Sequence, residues 1–181
     1  METSSVLTET AVRTQPSKTR KKSAHRNLPP RSELFLELRL NSNPEALCLV
    51  RAALERATEV MHFPEPDCRA IVRSVDEALA NVIRHAYKGR TGLPIEVTCL
   101  RLWSANDGRT PKGIEILLKD SGIAAEPKKI KARSLEEVRP GGLGIHFMKQ
   151  SMDVVEFHRK RGKNLLRMVK YLVPQQPEAR S

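Results

Sequence analysis

Three short stretches carry residue types and spacings that could do chemistry. In VDEALANVIRHAY (75–87), Glu77, Asn81 and His85 recur at i, i+4 and i+8, which places them on one stripe of a helix. A carboxylate one turn from an amide can hold a divalent cation and orient a hydroxyl or water, as phosphoryl transfer requires. A solvated polar face carries the same residues, so the stripe alone leaves both readings open. Asp120-Ser121-Gly122 ends an apolar run. Its carboxylate can accept a hydrogen bond from an exocyclic amine such as that of adenine, with the glycine admitting a ligand. Asp and Gly also favour ordinary turns. Gly141-Gly142-Leu143-Gly144 leads into a short helical pattern. Glycines there let backbone N–H groups approach a phosphate at a helix N-terminus, or give the helix a pliant lead-in.

Other chemistries find no support. There is no GxxxxGK[ST] loop, and a GxGxxG fingerprint fails because Phe147 occupies its third glycine position. No HExxH or GxSxG occurs, and His25, His62, His146 and His158 lack metal-ligand partners at useful spacing. Cys48, Cys68 and Cys99 form no CxxC pair, the pattern of reduced, partly buried thiols. Aromatics at 4% argue against base-stacking platforms. Apolar runs fall far short of the ~20 residues of a spanning helix.

The elements that must position these residues follow from periodicity. ELFLELRL (33–40) alternates as a half-buried strand with Leu34, Leu36, Leu38 and Leu40 on one face. Ser42 or Asn43 caps a helix with Pro44 at its first position and Leu47, Val50, Leu54, Ala57 and Met61 on one face. Asp67 caps a second helix running to about Tyr87, with Ile71, Val75, Leu79, Val82 and Ala86 facing the core. Strands follow at 93–103 and 113–120, joined through an Asn106-Asp107-Gly108 turn. After a polar loop (121–139) come the glycine cluster, a helix to Met152, and strands at 153–158 and 164–173 around an Arg161-Gly162-Lys163 turn. Helices and strands in runs predict an α+β, two-layer sandwich: a mixed, mostly antiparallel sheet with helices on one face.

Residues 1–32 hold seven basic and two acidic residues and almost no apolar ones, the composition of a disordered arm. The domain then spans 33–174, and 175–181 form a tail. The whole chain carries +11, a bias towards anionic partners in general. Nucleic-acid binding by the arm is at most an accessory property. The N-terminus lacks the apolar core of a secretory signal, so the expected location is the cytoplasm, with no membrane segment.

The joint order, ExxxN on a helix, DxG after a strand, a variable polar loop, then GxG opening a helix, resembles the GHKL superfamily of ATPases (a Bergerat-type fold). More closely it resembles the RsbW/SpoIIAB-type anti-sigma factor serine kinases, over residues 33–173. DEALANVIRHAY, KDSGIAAEP and PGGLGIHFMKQSMDVVEFHRKRGKN carry the likeness. The resemblance implies ATP and Mg²⁺ as cofactors. It makes Glu77 the general base for a serine hydroxyl, Asn81 a nucleotide and Mg²⁺ ligand, and Asp120 the reader of the adenine amine. Gly122 lines the base, Gly142, Leu143 and Gly144 approach the phosphates, and Lys128 to Arg139 fall in an ATP lid. Ala125, Glu126 and Gly141 depart from residues common in the family. The implied activity is phosphorylation of a serine on a STAS-type antagonist that competes with a sigma factor for the kinase, which acts as a homodimer. The alternative is a module of the same fold that binds ATP without turnover and sequesters a partner.

Overall fold

The computed structural model describes residues 31–124 and 143–173. Nearly all of the N-terminal arm, the lid, Gly142 and the C-terminal tail lie outside them. Five strands form one sheet: β1 (Arg31–Asn41), β2 (Pro94–Trp103), β3 (Pro111–Asp120), β4 (Val154–Lys160) and β5 (Lys163–Tyr171), in the order β1-β2-β3-β5-β4. Every pairing is antiparallel. Helices α1 (Leu47–Val60), α2 (Glu65–Asn81) and α3 (Leu143–Ser151) complete the α+β architecture.

The core is where the two periodicities meet. Val50, Leu54, Ala57 and Met61 of the first helical segment and Ile71, Val75, Ala78 and Leu79 of α2 are buried. They share one cluster with Ile95, Val97 and Cys99 of β2, Ile114, Ile116 and Leu118 of β3, and Leu166 and Met168 of β5, Ala57 alone standing apart. Each large aliphatic side chain taken fully from water contributes roughly 1.5–3 kcal/mol before entropy is charged against it. Burial pushes the Cys99 thiol up to about 12; Cys48 is exposed and Cys68 buried, all three unpaired.

Asn43 caps the entry to α1, its side chain accepting from the Glu45 N–H, with Pro44 in the first turn. Ser42 instead is buried, donating to Arg90 O (2.7 Å) and accepting from Leu93 N–H (3.1 Å).

Three expectations are corrected. Leu34 is 57% exposed, not core-facing, because a bulge at Phe35 shifts the register between Leu34↔Leu100 and Leu36↔Cys99 and turns everything before it over. Asp67 does not cap α2: the helix begins at Glu65, and Asp67 lies in its first turn, its carboxylate 3.4 Å from Lys170 Nζ. The α-helical run does not reach Tyr87. It ends at Asn81, and Val82–Ala86 form a π turn, with Tyr87 N–H bonded to Val82 O.

Candidate nucleotide site

Glu77 and Asn81 sit one turn apart near the end of α2, both half-buried, immediately before the π turn. π turns cost regular hydrogen bonding and are found often at functional sites. Here the turn takes His85 off the α-helical stripe and leaves it exposed. Among the described residues no hydrogen bond engages the Asn81 amide.

The same π turn stitches α2 to the end of β3. Ala86 O accepts from Ile123 N–H at 3.0 Å. Gly122 lies so close to this segment that a Cβ on it would stand 2.6 Å from Ala86 O and 2.7 Å from Ala86 Cβ. Gly122 thus has a reason besides the expected one: the bare Cα admits the chain's own helix end. The buried Tyr87 hydroxyl donates to Pro94 O (2.5 Å) and accepts from Ser121 N–H (3.1 Å), and burial raises its pKa. Tyr87→Phe removes both bonds and strands two backbone groups. It should lower stability by about 1–3 kcal/mol, read as a shift in the urea midpoint; an unchanged midpoint would show that the hydroxyl carries no structural role.

Asp120 is 6% exposed at the last position of β3. Its Oδ1 accepts from Gly122 N–H (2.8 Å) and from Asn164 Nδ2 (2.7 Å). Asn164 faces it across the β3/β5 register. The Asn164 amide also reaches Gly122 O (3.4 Å) and Ile123 O (3.3 Å), and its own oxygen accepts from Arg159 Nη1. Arg159 donates to Gly122 O as well, at 3.0 Å. Both bonds from described residues end on Oδ1, so the carboxylate is held in one orientation with Oδ2 available. Sequence reasoning missed Asn164 and Arg159. The signal was there in parity: Asn164 precedes Leu166 and Met168 on the core-facing row of β5, as Asp120 follows Ile116 and Leu118 on that of β3.

The third motif arrives on α3. A Cβ on Gly144 would overlap Oε1, Cδ and Cγ of Glu77, so the helix start lies directly on that carboxylate. One turn along, Phe147 stacks under Arg73, whose guanidinium is 4.2 Å from the ring centroid, and Met148 enters the core. Arg73 and Glu77 are i, i+4 on α2, and Phe147 and Gly144 i, i−3 on α3, so the two helices run antiparallel along this edge. Leu143 opens α3. Glu77, Asn81 and Gly144 are thereby brought to one helix–helix edge, and Asp120 and Gly122 are tied to the far end of α2 through Ala86 and Tyr87.

Gly144→Ala should displace the Glu77 carboxylate or the start of α3 while leaving the core intact. If Glu77 is chemically active, turnover falls at least as far as in a Glu77 variant, at little change in melting temperature. A Gly144→Ala protein with parent turnover would show that the contact is incidental.

Among the described residues no group of three His, Cys, Asp or Glu side chains is placed to hold a metal ion. The arrangement offers a buried acceptor at one end, a half-buried amide and carboxylate in the middle, and the start of a helix at the other. No helix among the described residues is long and apolar enough to cross a membrane.

The model of the histidine kinase-like ATPase domain matches residues 40–170 of this chain. The chain is similar to a serine-protein kinase RsbW of Bacillus pumilus, 27% identical over 146 residues that cover 76% of this chain and 86% of that protein. It is 25% identical to the protein of that name from Staphylococcus epidermidis over 150 residues, covering 78% and 89%. A third of that name, from Bacillus cereus, is 23% identical over 151 residues, covering 79% and 88%.

Proposed function

This chain belongs to the histidine kinase-like ATPase domain family, and on that premise we propose that it is an anti-sigma factor of the RsbW kind, an ATP-dependent protein serine kinase. Residues 33–174 form its ATP-binding domain. The observation that carries the reading is the contact of Gly144 with Glu77, which sets the start of a glycine-opened helix against a carboxylate.

Asp120, locked by Gly122 N–H and Asn164, presents Oδ2 as acceptor for the adenine amine, and Gly122 lines the base. Backbone N–H groups at the start of α3, from Leu143 and Gly144, meet the phosphates; Gly142, which the resemblance also assigns to them, lies outside the described residues. Asn81 would hold Mg²⁺ when the ion is bound, and the ion would supply positive charge to the transferring group. Glu77 accepts the proton of the substrate serine as its oxygen attacks the γ-phosphorus. The bond from phosphorus to the β–γ bridging oxygen breaks, and ADP leaves with that electron pair. No covalent intermediate on the protein is needed, because positioning and charge supply the rate.

The resemblance to the RsbW/SpoIIAB-type kinases supports a serine on a STAS-type antagonist as the substrate. Phosphorylation releases the antagonist and leaves the sigma factor held, in the cytoplasm and by a homodimer of this chain. The test is transfer of label from γ-labelled ATP to a STAS-type partner by the purified protein. Labelled phosphoserine on the partner is expected. ATP binding without transfer to any such partner would turn the reading into that of a sequestering module.

A further inference from the structure

We propose that Arg159 is a positioning residue that sets selectivity for the base, acting through Asn164 on Asp120, an inference that rests on the ATP reading above. The register puts the three residues on one row of the sheet. Asp120 of β3 is the Cα partner of Asn164 on β5, and Asn164 is the partner of Arg159 on β4. The preceding row on the same face, Leu118, Leu166 and Phe157, is apolar and lies in or against the core. At its last row this corner of the sheet changes from apolar packing to hydrogen bonding, and it does so around Gly122.

The bonds run in one direction along the row. A single nitrogen of Arg159, Nη1, donates to the Asn164 side-chain oxygen and to Gly122 O, the latter at 3.0 Å. With its oxygen so held, the Asn164 amide turns its hydrogens to Asp120 Oδ1 (2.7 Å) and to the carbonyls of Gly122 (3.4 Å) and Ile123 (3.3 Å). Asn164 is thus engaged inside the row, and Asp120 Oδ2 is the acceptor that faces a base. Arg159 is exposed, and among the described residues no carboxylate pairs with it. Its guanidinium goes instead to two neutral oxygens that fix the Asp120 turn. Water can satisfy those oxygens when Arg159 is replaced, so the fold keeps its stability, but exchanging water does not hold the amide and the turn in one place. The ligand must then order Oδ2 itself, and that penalty falls only on a base that offers Oδ2 a donor.

The experiment compares ATP with purine riboside triphosphate, which has the same sugar and phosphates and lacks the exocyclic amine. Dissociation constants of both are measured with Mg²⁺ by isothermal titration on the full-length parent, Arg159→Ala and Arg159→Lys. The parent should prefer ATP. Arg159→Ala should weaken ATP by roughly threefold to tenfold, the range for one lost hydrogen bond, and leave the analogue unchanged. Because one nitrogen makes both bonds, the lysine ammonium can replace it, and Arg159→Lys should recover most of the preference. Equal weakening of both nucleotides, or of neither, overturns the role of Arg159 while leaving the ATP site standing. A parent that binds the two alike removes the amine contact and this inference with it, and a parent that binds neither overturns the ATP reading itself.

Discussion

Glu77→Gln should abolish phosphoryl transfer and leave ATP binding intact. The substitution keeps the size and planarity of the side chain, so the start of α3 still rests on it through Gly144. It removes the one property transfer needs, a carboxylate that can accept the hydroxyl proton as the oxygen attacks. A positioned base is worth about 10²–10⁴-fold in rate. Single-turnover transfer of labelled phosphate, with ATP saturating, reads this without interference from binding. Transfer within a fewfold of the parent would show that Glu77 is not the base and that the half-buried carboxylate merely seats α3.

Asp120→Asn is the second large effect, and here binding is lost. Gly122 N–H and Asn164 Nδ2 are both donors, and both end on Oδ1. An asparagine at this position must keep its oxygen there. Its NH₂ then stands where Oδ2 was and points a donor at the donor of the adenine amine. The exchange of an attraction for a repulsion should raise the ATP dissociation constant by roughly a hundredfold, about 2.8 kcal/mol. Because the internal bonds survive, the melting temperature should change little. Unaltered ATP affinity in that folded variant would remove Asp120 from the site.

How far these residues could be read from sequence depends on how local their signals are. The i, i+4 placement of Glu77 and Asn81, the Asp120 turn and the glycine-opened helix are each written within a dozen residues, and local periodicity delivers them. The alternation of β2 and β3 and the helical rows of Val50 and Val75 follow from burial on one face, which any correct fold must satisfy. Three features were out of reach for a physical reason. The bulge at Phe35 is a matter of register against Leu100 and Cys99, so the leucine alternation of β1 misplaces Leu34. The π turn at Val82–Ala86 arises because Ala86 must meet Gly122 and Ile123, a contact between distant segments. The clasp of Arg159 and Asn164 on the Asp120 turn exists only once β5 has paired with β3.

The central claim is that this edge between α2, α3 and the end of β3 is a site for ATP. The most direct measurement is an isothermal titration of Mg-ATP into the purified full-length protein. Saturable binding, weakened in Asp120→Asn and Asn81→Ala proteins that melt like the parent, is the predicted result. No heat of binding at millimolar ATP would contradict the account.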